Sequence, residues 1–433
     1  MKRLSLLFTT ALIAALASCG TPSTVETQSP TAQPAPTAQP EPTVAPTATV
    51  EPTAAPTELP IATYTAELSA TVVASLPPTP VDPGSPAIEG AVALPLRPAG
   101  DGPPLWAAFT YGLHSFDPPQ QHFVAIYTRD GAGWRELSKL NLENSDYVYP
   151  TGVQQVDLAP GRIWLEVQSG AGAHGGCYDL LSFDGKDLRD EVSHCHESPG
   201  AGSVADVNGD GVNDVVLNQT QNYIFCYACG VRKADQKVLR WDGQKLAPVE
   251  LTHLPESAPA ELRRLTNRAV DLAEHGLWKD AQATISQTVA LGASDATATW
   301  DAALIRLTAE ARAEQAGSGA YPLLDNLFYG DYPAALDAMR PYSPEQLFAA
   351  DTPLVVGTTA ESWVPELTAE ITGTTELALK LQPDLAAASF LHGWALHLAS
   401  PADPAALADV ERAAQLAPGD KLFSESLAYL RKK

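Results

Sequence analysis

The sequence is poor in basic residues. Its 433 residues include 27 Lys and Arg against 51 Asp and Glu, a formal net charge of −24. No basic residue occurs between Arg3 and Arg97. A surface with this excess of carboxylates repels nucleic acids and anionic lipid headgroups, so neither is an expected partner. The same excess favours divalent cations, and the length suffices for two or three domains.

Long apolar segments and catalytic signatures are also missing. After an N-terminal run from Leu4 to Leu16, no stretch of about twenty apolar residues follows, so the sequence predicts no transmembrane helix. It contains no G-x-S-x-G nucleophile elbow, no phosphate-binding loop and no H-E-x-x-H zinc motif. The sequence therefore names no reaction, and we expect a protein that is not an enzyme.

The N-terminus has the features of an export signal. Two basic residues precede the apolar run, which ends in the small residues Ala17 and Ser18 and then Cys19. This order indicates a secretory signal peptide over residues 1–18. With the cysteine directly after it, the segment resembles the lipobox of bacterial lipoproteins. The resemblance implies that Cys19 is acylated and that this lipid anchor alone holds the chain to the membrane, in the cell envelope and facing outside the cytoplasm. A plain signal peptide or a short anchor helix is the alternative.

Residues 19–86 are rich in Pro, Thr, Ala, Gln and Glu, as in TAQPAPTAQPEPT. Such a segment buries too little apolar surface to offset the entropy lost on ordering. Its prolines favour the extended polyproline II conformation. We therefore predict a disordered Pro/Thr-rich stalk that holds the folded part of the chain away from the membrane.

Short β-type runs fill residues 87–256, and examples are LWAAFTY, HFVAIYT, RIWLEVQ, CYDLLSF, DVVLNQ and KVLRWDG. Asp-Gly pairs, which favour hairpin turns, follow three of these runs at Asp130, Asp184 and Asp242. Their near-regular spacing indicates about three repeat units. We place these units roughly at 103–145, 153–198 and 202–253. Because three blades are too few to close an ordinary propeller, we predict a small, propeller-blade-like antiparallel β-domain.

The stretch DVNGDGVND, from Asp206 to Asp214, has oxygen-bearing side chains at alternate positions and glycines between them. This is the pattern of a calcium loop, with side-chain ligands from Asp206, Asn208 and Asp210, a carbonyl from Val212, and Asp214 closing the shell. The longer stretch SVADVNGDGVNDVVL resembles the FG-GAP or VCBS repeat of integrin-like propellers, which places such a loop between two strands of one blade. We expect one Ca²⁺ with a structural role. An Asp/Asn/Gly turn without metal is the alternative.

Four cysteines remain besides Cys19, and three interpretations stay open. Cys177 and Cys195 flank a predicted hairpin and would face each other across it, while Cys226 and Cys229 form a C-x-x-C pair, so two disulfides are the first interpretation. The second is a Zn²⁺ site that combines these cysteines with His174, His194 or His196. The third is a redox-active C-x-x-C pair, although the flanking residues indicate a strand and a turn rather than a helix N-terminus.

Helical periodicity dominates residues 257–433. Gly276 and Gly330 begin two copies of the pattern Gly-x-aromatic-x-x-Ala. The later stretch FLHGWALHLASPADPAALADVERAAQLAPGD has small residues where two helices would approach closely. These features resemble the tetratricopeptide repeat, which implies an array of α-hairpins with a groove for partner proteins. An ordinary α-hairpin bundle is the alternative.

Together these observations predict a multidomain β plus α protein, with a propeller-blade-like β-domain followed by a tetratricopeptide-like helical array. The function expected from them is that of a non-catalytic cell-envelope lipoprotein that binds a protein or glycan through these two regions. An accessory factor or hydrolase acting on envelope glycan or peptidoglycan is the alternative. Acidic residues clustered in a cleft, with a raised carboxyl pKa, would favour that alternative.

Overall fold

The computed structural model of the chain describes residues 60–77, 88–116, 119–131, 133–289, 291 and 295–432. All of them belong to one structural unit, Leu59–Lys433. The predicted signal peptide, the lipid-anchored Cys19 and most of the predicted stalk lie outside the described residues. None of the helices in the described part of the chain combines the length and apolarity needed to cross a bilayer.

The first half of this unit is an antiparallel sheet. Its elements in chain order, with two short strands that pair only with each other, are β1 (Ile88–Pro95), β2 (Leu105–Leu113), β3 (Ser115–Phe116), β4 (Pro119–Gln120), β5 (Phe123–Asp130), β6 (Gly133–Asn141), β7 (Tyr147–Val156), β8 (Ile163–Ala171), β9 (Gly175–Phe183) and β10 (Leu188–His196). Eight of these strands form one sheet in the order β10-β9-β8-β7-β2-β5-β6, with β1 paired to β2. We call this the large sheet.

The large sheet curls into a half-barrel, so that its two edge strands, β6 and β10, contact each other. The Leu188 backbone N–H on β10 donates to Ser138 Oγ on β6 at 2.9 Å. The concave side is filled by alternate residues of the strands, among them Phe109, Leu165 and Phe183. Because side chains on a strand alternate between faces, the residues between them point outward. The large sheet therefore encloses a hydrophobic core of its own.

A helix covers part of the outer face of the large sheet. Helix α1 (Ile61–Ser75) packs Leu68 and Val72, both buried, against outward-facing residues that include Trp106. Glu67 on α1 accepts a hydrogen bond from Arg129 on β5 at 2.7 Å. This differs from the predicted stalk, which treats these residues as disordered. The proline-rich composition is interrupted between Pro60 and Pro77, and Tyr64, Leu68 and Val72 recur every fourth residue there, which gives α1 an apolar stripe.

A second, four-stranded sheet follows, with antiparallel order β11-β12-β13-β14. We call it the small sheet, and its strands are β11 (Gly202–Ala205), β12 (Asp214–Asn218), β13 (Gln236–Trp241) and β14 (Leu246–Pro248). Val215 and Leu217 on one face pack against Trp164 and other outward residues of the large sheet. Val238, on the opposite face, packs against the helical half of the chain. The small sheet thus lies between two larger bodies.

The predicted strands are all present, but two of the three predicted repeat units do not form separate blades. The units over 103–145 and 153–198 are joined in the large sheet through pairing of β2 with β7. Only the unit over 202–253 has a sheet of its own. Which strand pairs with which depends on contacts far apart in the sequence, and turn spacing does not report these contacts.

The second half of the unit is helical. Its helices are α2 (Ala260–Glu274), α3 (Trp278–Val289), α4 (Ala296–Ser318), α5 (Pro322–Tyr329), α6 (Tyr332–Asp337), α7 (Pro344–Leu347), α8 (Val364–Leu381), α9 (Ala386–Ala399), α10 (Pro404–Leu416) and α11 (Lys421–Leu430). A single hydrophobic core joins α2 to α11 and includes Tyr332, Trp394 and Phe390. The architecture of the described residues is therefore β plus α.

The two Gly-x-aromatic turns of the helical half lie against each other. Gly276 and Gly330 each adopt a positive φ, 75° and 81°, which glycine tolerates without strain. A Cβ on Gly330 would lie 2.8 Å from the Gly276 carbonyl oxygen. Likewise, a Cβ on Gly393 of α9 would lie 2.8 Å from the Ala406 carbonyl oxygen of α10. The approach at Gly393 is the kind that the sequence predicts for the small residues of this stretch. The long α4 and the short α5, α6 and α7 interrupt the regular alternation of an array of equal hairpins.

Candidate functional site

The acidic loop predicted to bind calcium connects β11 to β12 at one end of the small sheet. Asp206 follows β11 directly, and its carboxylate accepts the backbone N–H groups of Gly209 at 2.8 Å and Gly211 at 2.9 Å. Both glycines have positive φ, 76° and 83°, which lets the chain turn tightly around the carboxylate. The loop is therefore wound around Asp206 by its own backbone.

Two further predicted ligands point into the same turn. Asn208 Oδ1 accepts the Asp210 N–H at 3.0 Å, and Asn208 Nδ2 donates to Asp210 Oδ2 at 3.0 Å. Asp210 Oδ1 accepts the Val212 N–H at 2.9 Å. The Val212 side chain is exposed and takes no part in these contacts. The structure thus brings the oxygens of Asp206, Asn208 and Asp210 into one loop.

Asp214 differs from the other acids of the loop because it is completely buried. Its Oδ2 accepts the Val207 N–H at 3.3 Å, whereas its buried Oδ1 has no hydrogen-bond partner among the described residues. Burial raises the pKa of Asp214 to about 6. A buried carboxylate oxygen without a partner is costly, and a bound cation would supply one.

Arg240 on β13 is a contact of this loop that the sequence did not suggest. Its guanidinium donates to Asp210 Oδ2 at 2.7 Å and lies 4.0 Å from Asp214 Oδ1. The hydrogen bond from Arg240 lowers the pKa of Asp210. Arg240 also lies over the ring of Trp300 on α4, 5.1 Å from its centroid. The loop is therefore connected through Arg240 to the helical half.

The donor set of the loop fits calcium better than a transition metal. Carboxylate, amide and backbone carbonyl oxygens are the ligands that Ca²⁺ takes. Within the described ranges, no group of three or more His, Cys, Asp or Glu side chains is arranged to hold a metal ion. That finding does not bear on a calcium loop, because such a loop also uses Asn and main-chain oxygens.

The four cysteines form two disulfides. Cys177 on β9 is bonded to Cys195, its partner in register on β10, and Cys226 is bonded to Cys229 across one short turn. No thiolate of these four remains as a zinc ligand, which removes the basis of the zinc interpretation. The C-x-x-C residues lie in an extended segment and a 3-10 turn. They are not at the N-terminus of an α-helix, where a redox-active pair would have its thiolate stabilised.

The histidines of the zinc interpretation have other partners. His194 Nε2 and His196 Nε2 lie 2.8 Å from the carbonyl oxygens of Asn218 and Thr220. Because a carbonyl only accepts, each Nε2 carries the proton and donates. A nitrogen that donates to a carbonyl has no lone pair free for a metal. These two histidines therefore join the edge strand β10 to the end of β12 and to the segment that follows it.

A cleft of about 650 Å³ opens beside these histidines, between β10, the segment after β12 and helix α8. The described residues that line it are His194, Cys195, His196, Glu197, Gln219, Thr220, Gln221, Asn222, Tyr223, Ile224, Glu366, Ala369 and Glu370. None of the calcium-loop residues is among them. The sequence did not predict this cleft, because its walls come from both halves of the chain.

Carboxyl groups with a raised pKa lie away from this cleft. Burial raises the pKa of Asp301 and Asp325 to about 6. Asp301 accepts the Thr252 N–H and Asp325 accepts the Tyr321 N–H, so both hold backbone groups in place. None of these acids lines the 650 Å³ cleft.

No protein-family model matches the chain, and no curated protein sequence matches it.

Proposed function

We propose that this chain is a non-catalytic cell-envelope lipoprotein whose folded region binds a protein or glycan partner, with one Ca²⁺ stabilising the acidic loop of the small sheet. The lipid anchor on Cys19 and the export signal rest on the N-terminal sequence. Two disulfides are consistent with an oxidising compartment outside the cytoplasm. The FG-GAP-like loop and the tetratricopeptide-like hairpins belong to this proposal.

The observation that carries the calcium site is the buried Oδ1 of Asp214, which lacks a hydrogen-bond partner beside a loop already wound around carboxylates. In the proposal, Asp206, Asn208, Asp210 and Asp214 provide side-chain oxygens and Val212 a carbonyl oxygen. The cation would neutralise carboxylates that otherwise repel one another. Its role is structural, because the loop connects two strands and lies outside the large cleft.

Calcium titration by isothermal calorimetry of the full-length chain tests this site. We expect one site at pH 7, and we expect Asp214→Asn and Asp210→Ala to abolish measurable binding. Asp242→Asn, in the exposed Asp-Gly turn between β13 and β14, is the matched control and should bind like the wild type. Equal binding by the wild type and all three variants would refute the assignment.

The pH dependence of the same titration follows from Asp214. Its pKa is raised to about 6, so the carboxylate is largely ionised at pH 7 and largely protonated at pH 5. Calcium binds the ionised form, so its affinity should fall as the pH decreases through 6, with uptake of calcium displacing a proton near that pH. An affinity that is unchanged between pH 7 and pH 5 would exclude Asp214 as a ligand.

The alternative, an envelope hydrolase, receives less support. Its expected sign is a cleft lined by acids whose pKa is raised towards neutrality. Asp301 and Asp325, for which burial raises the pKa, instead lie outside the 650 Å³ cleft, whose acids are Glu197, Glu366 and Glu370.

A further inference from the structure

The 650 Å³ cleft continues past Glu197 into a second depression of about 380 Å³ beside the turn between β8 and β9. Cys195, His196, Glu197 and Tyr223 line both. The two depressions therefore form one elongated surface, which we call the Tyr223 cleft. The volume of each depression is within the range of ligand-binding pockets in proteins, roughly 300–1,000 Å³.

An aromatic cluster forms one wall of the Tyr223 cleft. The rings of His174 and Tyr227 are stacked, with centroids 3.9 Å apart and 13° between their planes. Tyr223 lies next to them, with its ring 5.8 Å from that of Tyr227. Tyr223 is 49% exposed, between Asn222 and Ile224, which are both buried.

Hydrogen bonds fix the orientation of Tyr223. His174 Nδ1 donates to the Glu197 carbonyl oxygen at 2.8 Å, so Nε2 of the neutral ring is an acceptor. The Tyr223 hydroxyl donates to this Nε2 at 3.3 Å. The ring of Tyr223 is thus held at its hydroxyl end, while half of its surface remains open to solvent.

Both disulfides support this wall. Cys195 lines the cleft and is bonded to Cys177. Cys226 and Cys229 enclose Tyr227 in a single tight turn. Phe225, directly before this turn, is buried in the helical core and stacks on Trp363. The aromatic wall is therefore held from both halves of the chain, which limits the entropy that a ligand would have to remove.

Most of the other side chains that line the Tyr223 cleft are polar or small. Gln219 and Gln221 are exposed on a backbone segment that pairs with residues 233–235, and Glu366 and Glu370 project one helical turn apart from α8. Of the apolar side chains in the lining, Ile224 is buried and Ala369 of α8 is exposed. Planar amides and carboxylates beside one exposed aromatic ring suit a sugar. A pyranose presents a C–H face that packs on an aromatic ring and hydroxyl groups that accept and donate at its edge.

The charge of the lining selects among sugars. Among the described residues that line the Tyr223 cleft, three are glutamates and none is lysine or arginine. Lys233, close by, pairs with Glu370 at 3.7 Å. The carboxylates of Glu197 and Glu366 would repel an acidic glycan, whereas they would not repel a neutral sugar and would attract an amino sugar.

We propose that the Tyr223 cleft binds an oligosaccharide of neutral or amino sugars, with one sugar ring packed on the exposed face of Tyr223 and its hydroxyl groups bonded by Gln219, Gln221 and the cleft glutamates. This inference rests on the proposed binding function and names its ligand class. A peptide partner is disfavoured because, apart from Tyr223 and the buried Ile224, the side chains that line the cleft are polar or small and offer no large apolar contact to an anchor side chain.

Calorimetry of the full-length chain with three hexasaccharides tests the proposal: N-acetylglucosamine hexamer, glucosamine hexamer and galacturonate hexamer. We expect the first two to bind and the acidic third to bind at least about tenfold more weakly, a difference of about 1.4 kcal/mol. No binding by any of the three, or strongest binding of galacturonate, would overturn it.

Variants of Tyr223 test whether a sugar ring packs on its aromatic ring, and a variant of Tyr149 controls for a general effect on folding. Tyr223→Ala should weaken binding of the glucosamine hexamer at least about tenfold, whereas Tyr223→Phe should retain most of it because the ring remains. Tyr149→Ala, on an equally exposed tyrosine of β7 outside the cleft, is the matched control. The proposal is wrong if Tyr149→Ala and Tyr223→Ala have equal effects, or if Tyr223→Ala has none.

Failure of hexasaccharide binding can be told apart from failure of calcium binding, because the two titrations use different ligands. If the calcium titration fails but the hexasaccharides bind in a Tyr223-dependent manner, only the calcium site is lost. If calcium binds at Asp214 but no hexasaccharide binds, the ligand class is wrong while the calcium-stabilised envelope protein stands.

Discussion

The two sheets of this protein follow the same antiparallel pattern but obtain their stability in opposite ways. The large sheet curls until its edge strands meet, and its own residues, such as Phe109 and Leu165, fill the interior. The small sheet has no interior. Its Val215 face packs on the large sheet and its Val238 face packs on α4.

This difference shows that alternating apolar residues do not by themselves make a domain. A strand pattern that is apolar on both faces needs a partner on each side. The large sheet supplies one partner from its own strands and receives α1 and the small sheet on its outer face. The small sheet packs on the large sheet with one face and on α4 with the other, and in this way it connects the β half to the helical half.

The largest expected effect comes from creating a cavity inside the large sheet. Phe109 is 1% exposed, and Phe109→Ala should lower the free energy of unfolding by about 3–5 kcal/mol. Chemical denaturation followed by circular dichroism measures it, with the exposed Tyr149→Ala as the control, expected within about 0.5 kcal/mol of the wild type. A loss below about 1 kcal/mol for Phe109→Ala would show that the interior is not the main source of stability.

A smaller effect is expected from the face of the small sheet that contacts α4. Val238 is 1% exposed, and Val238→Ala should cost about 1–3 kcal/mol because it removes packing against Ala303. Since the contact joins two halves, we also expect the β and helical signals to separate during denaturation. Lys237→Ala, on the neighbouring exposed position, is the control. A single sharp transition in Val238→Ala would contradict the connecting role.

The smallest expected effect concerns closure of the large sheet. Ser138→Ala removes the acceptor of the Leu188 N–H and should cost about 0.5–1.5 kcal/mol. Hydrogen exchange of the Leu188 amide should become faster, while amides in the centre of β9 stay protected. Ser203→Ala, exposed on β11, serves as the control. Unchanged exchange at Leu188 would mean that the edges are held by side-chain packing alone.

Much of the secondary structure was accessible from the sequence, but the grouping of strands was not. The alternating runs and Asp-Gly turns predict β5, β8, β9 and β13 because these signals are local. Pairing of β2 with β7 joins residues about 35 positions apart, such as Gly112 and Val148, and a choice of that kind depends on the whole packing arrangement. Helix α1 was missed because proline content around it dominated the composition, although the spacing of Tyr64, Leu68 and Val72 carries the signal.

The two candidate sites also differ in how much of each can be predicted from the sequence. The calcium loop is contiguous in sequence, so Asp206 to Asp214 stand out as a motif, whereas Arg240 reaches the loop only through strand pairing. The Tyr223 cleft combines a turn between β8 and β9, a disulfide-bonded turn and a face of α8. No sequence pattern unites these segments, although Cys226 and Cys229 around Tyr227 mark one of them.

The position of α1 also has a mechanical consequence. In chain order α1 lies between the N-terminal region and β1, so tension applied from the N-terminal side acts on α1 before it acts on any strand. The ion pair between Glu67 and Arg129 and the packing of Leu68 and Val72 would have to be broken first. In a tethered protein under tension, α1 would therefore detach from the large sheet first, while the two sheets and the helical half keep their structure.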